Sequence, residues 1–498
     1  FDTRNFDTEY EQVVVSAYAS GDVLELPAGD VALGLGIETR RDEIRSNPDA
    51  VAAEGLFWGF FSDKGARGSR TVNELFAEIE IPVLANKPLA TELNVNLSGR
   101  ITDDEYYGNN TTESAKIGWR PVEPLLIRGT WGTAFRAPNL RELFLAGSTG
   151  FLNVADPCYI PEDAIDNLTG DYNPANDKRD QLILDNCRAT GVDPFLANNG
   201  GFNTFSVEVQ AGGSPTLAPE ESESWTLGFA FEQDFTNKFD LSFGMTYYEI
   251  EITNTVIEPS TGFIISDCYT DEAGTGASAF CGRITRDFSD PTNPEIVFMD
   301  LGFINRDQET ARGIDYNLAF RDQLDLGVPI NMSINLTASR LLERSTEFGN
   351  ADGSIDREEY QGEWGFPEWQ AQMAIRFDWN RWAFTWETRY LGAVDQDRDS
   401  VDPFDSIAGA SDTCYGPPDD VLCRDFAEAD DYFRHSTSLF YNADTWTIGA
   451  GIRNVFNEEP PVVDGSEVLS FSNTPIGYGY DLQGRVYFLD VAYRFGGN

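Results

Sequence analysis

The chain has 498 residues, of which 83 are Asp or Glu and 35 are Lys or Arg, so its net charge at pH 7 is -48. A nucleic-acid partner would require clustered basic side chains, and this charge balance argues against one. The chain has a single histidine, His435, which nearly excludes histidine-based catalysis and histidine metal clusters.

Apolar stretches fall well short of the roughly 18 consecutive residues that a membrane-spanning helix needs. A strand of a membrane barrel needs only about 9 to 11 residues of alternating character, so a membrane location stays open. The chain begins with Phe1 and shows no charged segment followed by an apolar one. We therefore expect a mature chain or a fragment, without a signal peptide.

Long segments in which apolar and polar residues alternate follow one another along the chain, and each predicts a β-strand. In chain order they cover residues 9–21, 31–44, 71–83, 89–107, 114–122, 125–138, 223–235, 239–256, 296–321, 330–342, 368–379, 382–392, 432–441, 446–456 and 486–498. We predict one long strand over residues 296–321, which brings the total to about 15 strands.

The connections between these strands alternate between short turns and long polar segments. The long loops are predicted near residues 46–69, 138–218, 257–300, 345–366, 394–430 and 456–482. Membrane barrels have short turns at one end and long loops at the other, whereas a soluble sandwich has loops of similar length at both ends. We therefore predict an all-β, antiparallel transmembrane barrel over residues 1–498, with a soluble sandwich as the alternative.

The strand over residues 125–138 shows the two faces that a membrane barrel requires. Ile127 and Trp131 lie on one face, and Arg128 and Arg136 lie on the other. An arginine that faces lipid near mid-depth costs roughly 2–4 kcal/mol, so both arginines should face the interior. The last strand has the same alternation, with apolar or aromatic residues at every second position up to Phe495.

The number of strands bears on where the chain begins. Single-chain bacterial barrels have even strand numbers. An odd count with an inward-running last strand places Phe1 on the extracellular side, in the middle of a barrel. We therefore expect the chain to be the C-terminal part of a longer one.

The six cysteines fall in three neighbouring pairs within the predicted loops: Cys158 with Cys187, Cys268 with Cys281, and Cys414 with Cys423. An even number in local pairs indicates disulfides and an oxidising compartment. Other connectivities, free thiols and a zinc site are the alternatives, although no pair has the C-x-x-C spacing of many zinc sites.

One polar segment partly fits the pattern of a calcium-binding loop. Asp352, Asp356 and Glu359 occupy ligand positions of that pattern, but Phe348 occupies the first one. These three carboxylates are the candidate calcium ligands, and an ordinary Asp-Gly turn is the alternative. We predict no other cofactor and no catalytic centre, since acidic pairs in so acidic a chain are far more often solvated charges.

Four stretches of the sequence resemble the TonB-dependent receptors of Gram-negative outer membranes. They are residues 125–144 with Phe135, Arg136 and Pro138, residues 214–231, residues 452–461, and the closing strand with Phe495 as its aromatic end. The closing strand is similar to the C-terminal signal that the barrel-assembly machinery reads, although three residues follow Phe495. The paired-cysteine loops resemble the large proteobacterial branch of the family, many of whose members import sugars or oligosaccharides.

The resemblance implies a transport protein rather than an enzyme, located in the bacterial outer membrane among lipid and lipopolysaccharide. Such receptors have about 22 strands around a plug, so roughly seven strands and the plug would lie upstream of Phe1. TonB would act through that missing region. The implied function is active uptake of a scarce nutrient, such as an oligosaccharide or a siderophore, with or without a surface lipoprotein. A passive porin and a secreted, β-rich, glycan-active enzyme are the alternatives.

Aromatic residues of the predicted loops are candidate ligand contacts, since flat rings suit the faces of sugars. They are Tyr159, Tyr172, Phe195, Phe202, Tyr269, Tyr415 and Phe471. Packing inside the loop is the alternative for each ring, and the more frequent one. Phe135, Arg136 and Pro138 are interpreted as residues that define the fold at the barrel rim.

Overall fold

The architecture is that of a computed structural model, which describes residues 3–58, 60–166, 169–198, 203–235, 239–269, 278–290, 292–349, 355–395, 429–463, 468–471 and 474–495. The strands are β1 (Phe6–Leu26), β2 (Gly29–Pro48), β3 (Ala66–Lys87), β4 (Ala90–Asp104), β5 (Gly108–Val122), β6 (Leu125–Arg136), β7 (Ser148–Ala155), β8 (Thr204–Ala211), β9 (Glu220–Phe235), β10 (Phe239–Ile257), β11 (Ile284–Arg286), β12 (Ile296–Asp300), β13 (Ile304–Asp325), β14 (Pro329–Gly349), β15 (Ile355–Glu359), β16 (Trp369–Trp379), β17 (Trp382–Leu391), β18 (Tyr432–Asn442), β19 (Trp446–Arg453), β20 (Ser470–Phe471), β21 (Thr474–Pro475) and β22 (Val486–Tyr493).

One large antiparallel sheet dominates the structure. It contains 16 strands, of which 15 follow a single path in the order β1-β2-β3-β4-β5-β6-β9-β10-β13-β14-β16-β17-β18-β19-β22, while β15 pairs with β14 alone. Each strand of the path is hydrogen-bonded to the strand before and after it in that order, so the connectivity is a meander. The predicted all-β class and the count of about 15 strands are confirmed.

The prediction of one continuous strand over residues 296–321 is wrong. The chain forms β12, leaves the strand conformation at residues 301–303, and enters β13 only at Ile304. The Asp300 side chain accepts a hydrogen bond from the Gly302 amide at 2.8 Å, and the Leu301 amide donates to the carbonyl oxygen of Gln210 in β8, the strand beside β12 in the small sheet. The break occurs because the first part pairs with a loop strand and the second with the large sheet.

Connections at one end of the large sheet are short, as predicted. Trp379 pairs with Trp382 across a two-residue turn in which Asn380 adopts a positive φ of 52°. Asp325 pairs with Pro329 across a three-residue turn in which Gly327 has a φ of 88°. Asn and Gly tolerate this left-handed conformation better than other residues, so they suit tight turns.

Most connections at the opposite end are long and contain further structure. In the part of the chain that the structure describes, these connections contain four short α-helices: α1 (Ala50–Ala53), α2 (Leu140–Phe144), α3 (Gln181–Ala189) and α4 (Thr261–Tyr269). Within the described residues, none of the helices is both long enough and apolar enough to cross a membrane. We call this end of the sheet the loop end and the other the turn end.

The two faces of the sheet differ in polarity. Directly paired residues of neighbouring strands point to the same face, so the pairing register shows which side chains share each face. One row of direct partners on the outer face runs Phe320–Ile334–Ile375–Trp386 across four strands. In β22 the outer face carries Leu489 and Val491, which are 72% and 65% exposed. Isolated apolar groups on a surface are ordinary, but a continuous apolar band across the whole sheet indicates contact with lipid.

Reversing the polarity of the outer face tests this assignment. Leu336 lies there between Leu318 and Met373. We expect Leu336→Arg to lower the free energy of unfolding in lipid vesicles by roughly 2–4 kcal/mol, because arginine near mid-depth carries that cost. Urea unfolding of the vesicle-inserted protein, followed by tryptophan fluorescence, measures it.

The matched control is Asn335→Arg, on the polar face of the same strand. It should change the free energy of unfolding by less than about 0.5 kcal/mol, as surface substitutions usually do. Equal losses in the two variants would contradict the assignment of the faces.

Candidate ligand-binding surface

Two long connections at the loop end fold together into a small unit of their own. The first supplies β7 and β8, and the second supplies β11 and β12, in a four-stranded sheet of order β11-β12-β8-β7. The two connections meet where β12 runs parallel to β8, with Met299 opposite Val209. We call residues 148–211 and 261–303 the loop module.

The loop module has its own hydrophobic core, separate from the large sheet. Buried side chains from both connections form it, including Ile264, Val207 and Met299. Two disulfides close it, Cys158–Cys187 and Cys268–Cys281. Cys414 and Cys423 lie outside the described residues, so the third predicted pairing stays a prediction. A disulfide stabilises a small unit mainly by restricting its unfolded chain.

A buried ion pair joins the two connections at the centre of the module. The Arg286 guanidinium donates to both oxygens of Asp156, at 2.5 and 2.9 Å, and the side chains are 3% and 0% exposed. The same guanidinium donates to the Tyr269 hydroxyl at 2.9 Å. Burial alone would lower the pKa of Arg286, but the hydrogen bonds and charge of Asp156 outweigh it and raise the pKa. The Arg286 guanidinium therefore stays protonated at any ordinary pH.

A second arginine forms hydrogen bonds to several backbone carbonyl groups of the first connection. Arg179 donates to the carbonyl oxygens of Cys158 and Tyr159, both at 3.1 Å, and to that of Pro194 at 2.9 Å. Its guanidinium also pairs with Asp177 at 2.7 Å. Burial would raise the pKa of the Asp177 carboxyl, but hydrogen bonds from Arg179 and Tyr172 outweigh it and lower the pKa below its usual value.

Two of the predicted ligand contacts belong to the module core instead. Tyr159 and Tyr269 are each 1% exposed. The Tyr159 hydroxyl donates to Asn293 at 2.7 Å, and burial raises its pKa. A ligand cannot reach rings that are enclosed by the core, so the structure assigns both residues to packing and corrects the prediction.

Two other candidates form an accessible aromatic cluster on the module surface. The rings of Tyr172 and Phe195 lie 5.5 Å apart, and the Arg188 guanidinium lies 4.9 Å from the Phe195 ring. Both rings are half-buried. Phe471 is 75% exposed in the β20–β21 hairpin. Phe202 and Tyr415 lie outside the described residues. Tyr172, Phe195 and Phe471 remain candidates for ligand contact.

The structure describes the calcium candidates only in part. Asp352 and the side chain of Asp356 lie outside the described residues. Glu359 accepts a hydrogen bond from Arg357 at 2.8 Å in the β14–β15 hairpin. Phe348, at the first ligand position of the pattern, packs against Phe280 of the module with ring centroids 5.4 Å apart. Among the described residues no group of three or more His, Cys, Asp or Glu side chains could hold a metal ion.

Two of the sequence motifs, 84 residues apart, meet at the loop end of the large sheet. Arg136 donates to Glu220 at 2.6 Å and to Glu142 at 3.1 Å. Pro138 is buried, and its carbonyl oxygen accepts a hydrogen bond from Arg70 at 2.8 Å. Phe135 pairs with Glu221 on the outer face. The motif residues thus lock three strands and the start of α2 together.

The third motif closes a turn and the fourth ends the sheet. Asn454 is fully buried with a φ of 51°, and its side chain exchanges two hydrogen bonds with the backbone of Glu458, at 2.7 and 2.8 Å. Phe495 follows β22 and is 89% exposed, with its ring 4.7 Å from that of Tyr493. Neither position offers a ligand site.

The polar face of the large sheet carries a row that inspection of the sequence did not identify. Its five members are direct partners across β13, β14, β16, β17 and β18: Asn317, Thr337, Gln372, Arg389 and Arg434. We call them the polar row. All five line a recess of about 630 Å³ near the loop end. Only the strand register brings them together, so no spacing along the sequence could have signalled the row.

Comparisons with known proteins agree on one family. The family model described as "TonB dependent receptor-like, beta-barrel" matches residues 1–455. The comparison with curated protein sequences gave no match.

Solved structures with the same fold include three receptors. The siderophore receptor PirA of Acinetobacter baumannii has a TM-score of 0.56 at 14% identity, over 98% of this chain and 55% of that one. A ferric enterobactin receptor of Pseudomonas aeruginosa has a TM-score of 0.55 at 13% identity, over 97% of this chain and 54% of that one. The hemophore receptor HasR of Serratia marcescens has a TM-score of 0.52 at 13% identity, over 99% of this chain and 60% of that one. The chain thus spans about half the length of these relatives.

Breaking the buried ion pair should loosen the loop module. We expect Asp156→Asn to destabilise the module by about 3–5 kcal/mol, because the substitution leaves the buried Arg286 charge uncompensated. Hydrogen exchange of the β7, β8 and β12 amides measures the local opening. Asp185→Asn is the control, since its pair with Arg188 is exposed (57% and 43%), and exposed pairs contribute about 0–1 kcal/mol. Similar exchange in both variants would contradict a central role for the buried pair.

The lowered pKa of Asp177 predicts a loss of module stability in acid. Because the folded pKa lies below the unfolded value of about 3.9, the stabilisation is complete above that value. It is lost as the pH falls through the folded pKa. Hydrogen exchange of the module amides between pH 6 and pH 3 should show this loss in the native protein. The loss should be smaller in Asp177→Asn, and an unchanged acid dependence would contradict the assignment.

Proposed function

Because the chain belongs to the TonB-dependent receptor β-barrel family, we propose that it serves the energy-driven uptake of a scarce nutrient across the bacterial outer membrane. The observation that carries the proposal is the match of the family model over residues 1–455. The sheet adds physical support, since it has an apolar outer face, a polar inner face, short turns at one end and long loops at the other.

In the proposed cycle the loop end faces the outside and captures the nutrient. The loop module and the polar row lie at that end of the large sheet. TonB supplies the driving force, and the receptor carries out no covalent chemistry. Outer-membrane lipid and lipopolysaccharide surround the apolar face, and the barrel-assembly machinery reads the closing strand together with Phe495, which follows it.

The nutrient is an oligosaccharide, a siderophore or a compound of similar size. The solved relatives are receptors for siderophores and for a heme-carrying hemophore. At 13–14% identity their ligands do not transfer to this chain. The aromatic cluster of Tyr172 and Phe195 suits the flat face of a sugar. This supports an oligosaccharide as one of the candidate nutrients. A surface lipoprotein would assist capture in that case.

Dependence on energy separates this function from passive diffusion. We expect deletion of the receptor gene and deletion of tonB to abolish growth on the same limiting nutrient, tested with oligosaccharides as sole carbon source and with iron chelates under iron limitation. A porin would lose growth only in the receptor deletion, because diffusion needs no TonB.

Fractionation provides the second readout. The receptor should appear in the outer membrane and need detergent for extraction. Recovery of the native chain from the culture medium without detergent would contradict the proposal and favour a secreted enzyme.

A further inference from the structure

We propose that Arg389 and Arg434 bind an oxyanion, a carboxylate above all, carried by the nutrient that the receptor takes up. This inference rests on the proposed transport function and names the chemistry of its substrate. The two arginines face each other directly across β17 and β18 on the polar face. They end the polar row and line its recess near the loop end.

The two arginines lack the partners that other arginines of this wall have. Arg376 on the neighbouring strand pairs with Asp378 at 2.7 Å, and Arg344 pairs with Glu309 at 2.8 Å. Within the described part of the chain, neither Arg389 nor Arg434 forms an ion pair or a side-chain hydrogen bond. The chain has 83 acidic and 35 basic residues, so carboxylates are abundant. The lack of partners for these two arginines is therefore not caused by a shortage of carboxylates.

Two like charges directly opposite each other across neighbouring strands repel and destabilise the pair. An anion between them removes the repulsion and adds charge-assisted hydrogen bonds. The guanidinium group presents a planar fork of donors that matches the two oxygens of a carboxylate. An external oxyanion therefore satisfies both side chains at once.

Asp315, Glu387 and Asp481 each line a recess with one or both of the two arginines, but within the described residues none of these carboxylates forms an ion pair with them. Asp315 lines the same recess from β13, three strands away from Arg389. Glu387 faces the same side one step nearer the turn end, where it pairs with Ser436 and is exposed. Neither lies within ion-pair distance of the two arginines in the described structure.

A backbone segment of the last long connection passes close over Arg389. A side chain at Gly479 would place its first carbon 2.7 Å from a terminal nitrogen of Arg389, and Gly479 has a φ of 95°. Glycine thus allows the backbone to partly cover the guanidinium, and both arginines are half-buried. Partial burial strengthens charge interactions because the effective dielectric is lower.

The other three residues of the polar row indicate the chemical character of the rest of the ligand. Asn317, Thr337 and Gln372 offer amide and hydroxyl groups that both donate and accept hydrogen bonds. Strands are about 4.8 Å apart, so the row extends over roughly 19 Å. It therefore fits a ligand with a hydroxyl-rich body and an anionic end. An acidic oligosaccharide and a carboxylate-type iron chelate share that chemistry.

Titration of the detergent-solubilised protein tests the site. The probes are tri-galacturonate for the acidic sugar, citrate with and without Fe³⁺ for the chelate, and maltotriose as the neutral comparison. We expect at least one carboxylate probe to bind. Arg389→Gln and Arg434→Gln should each weaken that binding roughly tenfold or more, since hydrogen bonds to charged groups are worth that much. Affinity for maltotriose should not change.

The matched control is Arg376→Gln, which removes the same charge from the same wall while Arg389 and Arg434 stay in place. It should alter binding of the carboxylate probe less than about twofold, because its guanidinium already has a partner. Equal weakening by Arg376→Gln would overturn the proposal in favour of a general field effect. Failure of every carboxylate probe to bind would overturn it as well.

Two outcomes separate this inference from the transport proposal. If the arginine variants lose the probe while uptake proves independent of TonB, the transport function fails and the oxyanion site stands. If TonB-dependent uptake is unaffected by the double variant Arg389→Gln/Arg434→Gln, the oxyanion site fails and the transport function stands. If the variants have a lower unfolding temperature and unchanged binding of the probes, the proposal fails. The two arginines then stabilise the protein by pairing with an acidic segment of its own chain.

Discussion

The pairing register of the large sheet determines almost everything else in this protein. Directly paired side chains share a face, so one set of registers aligns Phe320, Ile334 and Ile375 on the outer side and Arg389 with Arg434 on the inner side. A slip of one residue would exchange the two faces. Each arginine moved into lipid would cost roughly 2–4 kcal/mol, so several such changes together exceed the total stability of an ordinary domain, about 5–15 kcal/mol.

The loop module obeys a different rule, because it lies beyond the apolar band and must bury its own core. Two connections that are each irregular on their own become a compact unit by sharing a parallel strand pair, a core and the Asp156–Arg286 ion pair. Burying two charges is expensive unless their hydrogen bonds are complete. Here the carboxylate receives two hydrogen bonds from the guanidinium, which also donates to Tyr269.

Alternation along the sequence was enough to predict the large sheet, because a strand with one face in lipid has a strict period of two. It failed at residues 296–321, where β12 and β13 have the same alternation but different partners. The aromatic candidates could not be sorted either, since Tyr159 in the core and Tyr172 on the surface sit in similar polar surroundings in the sequence. The polar row required the register of five strands, which depends on turn lengths and bulges rather than on local composition.

The parallel pairing of β8 with β12 also has a consequence for how this surface can vary among relatives. An insertion in either connection would displace the strand on which the other depends, so the two segments can change only in concert. Grafting one of them alone onto a related barrel would leave an unpaired strand edge and half a core. Transferring both together would carry the shared core and the parallel strand pair as one intact unit.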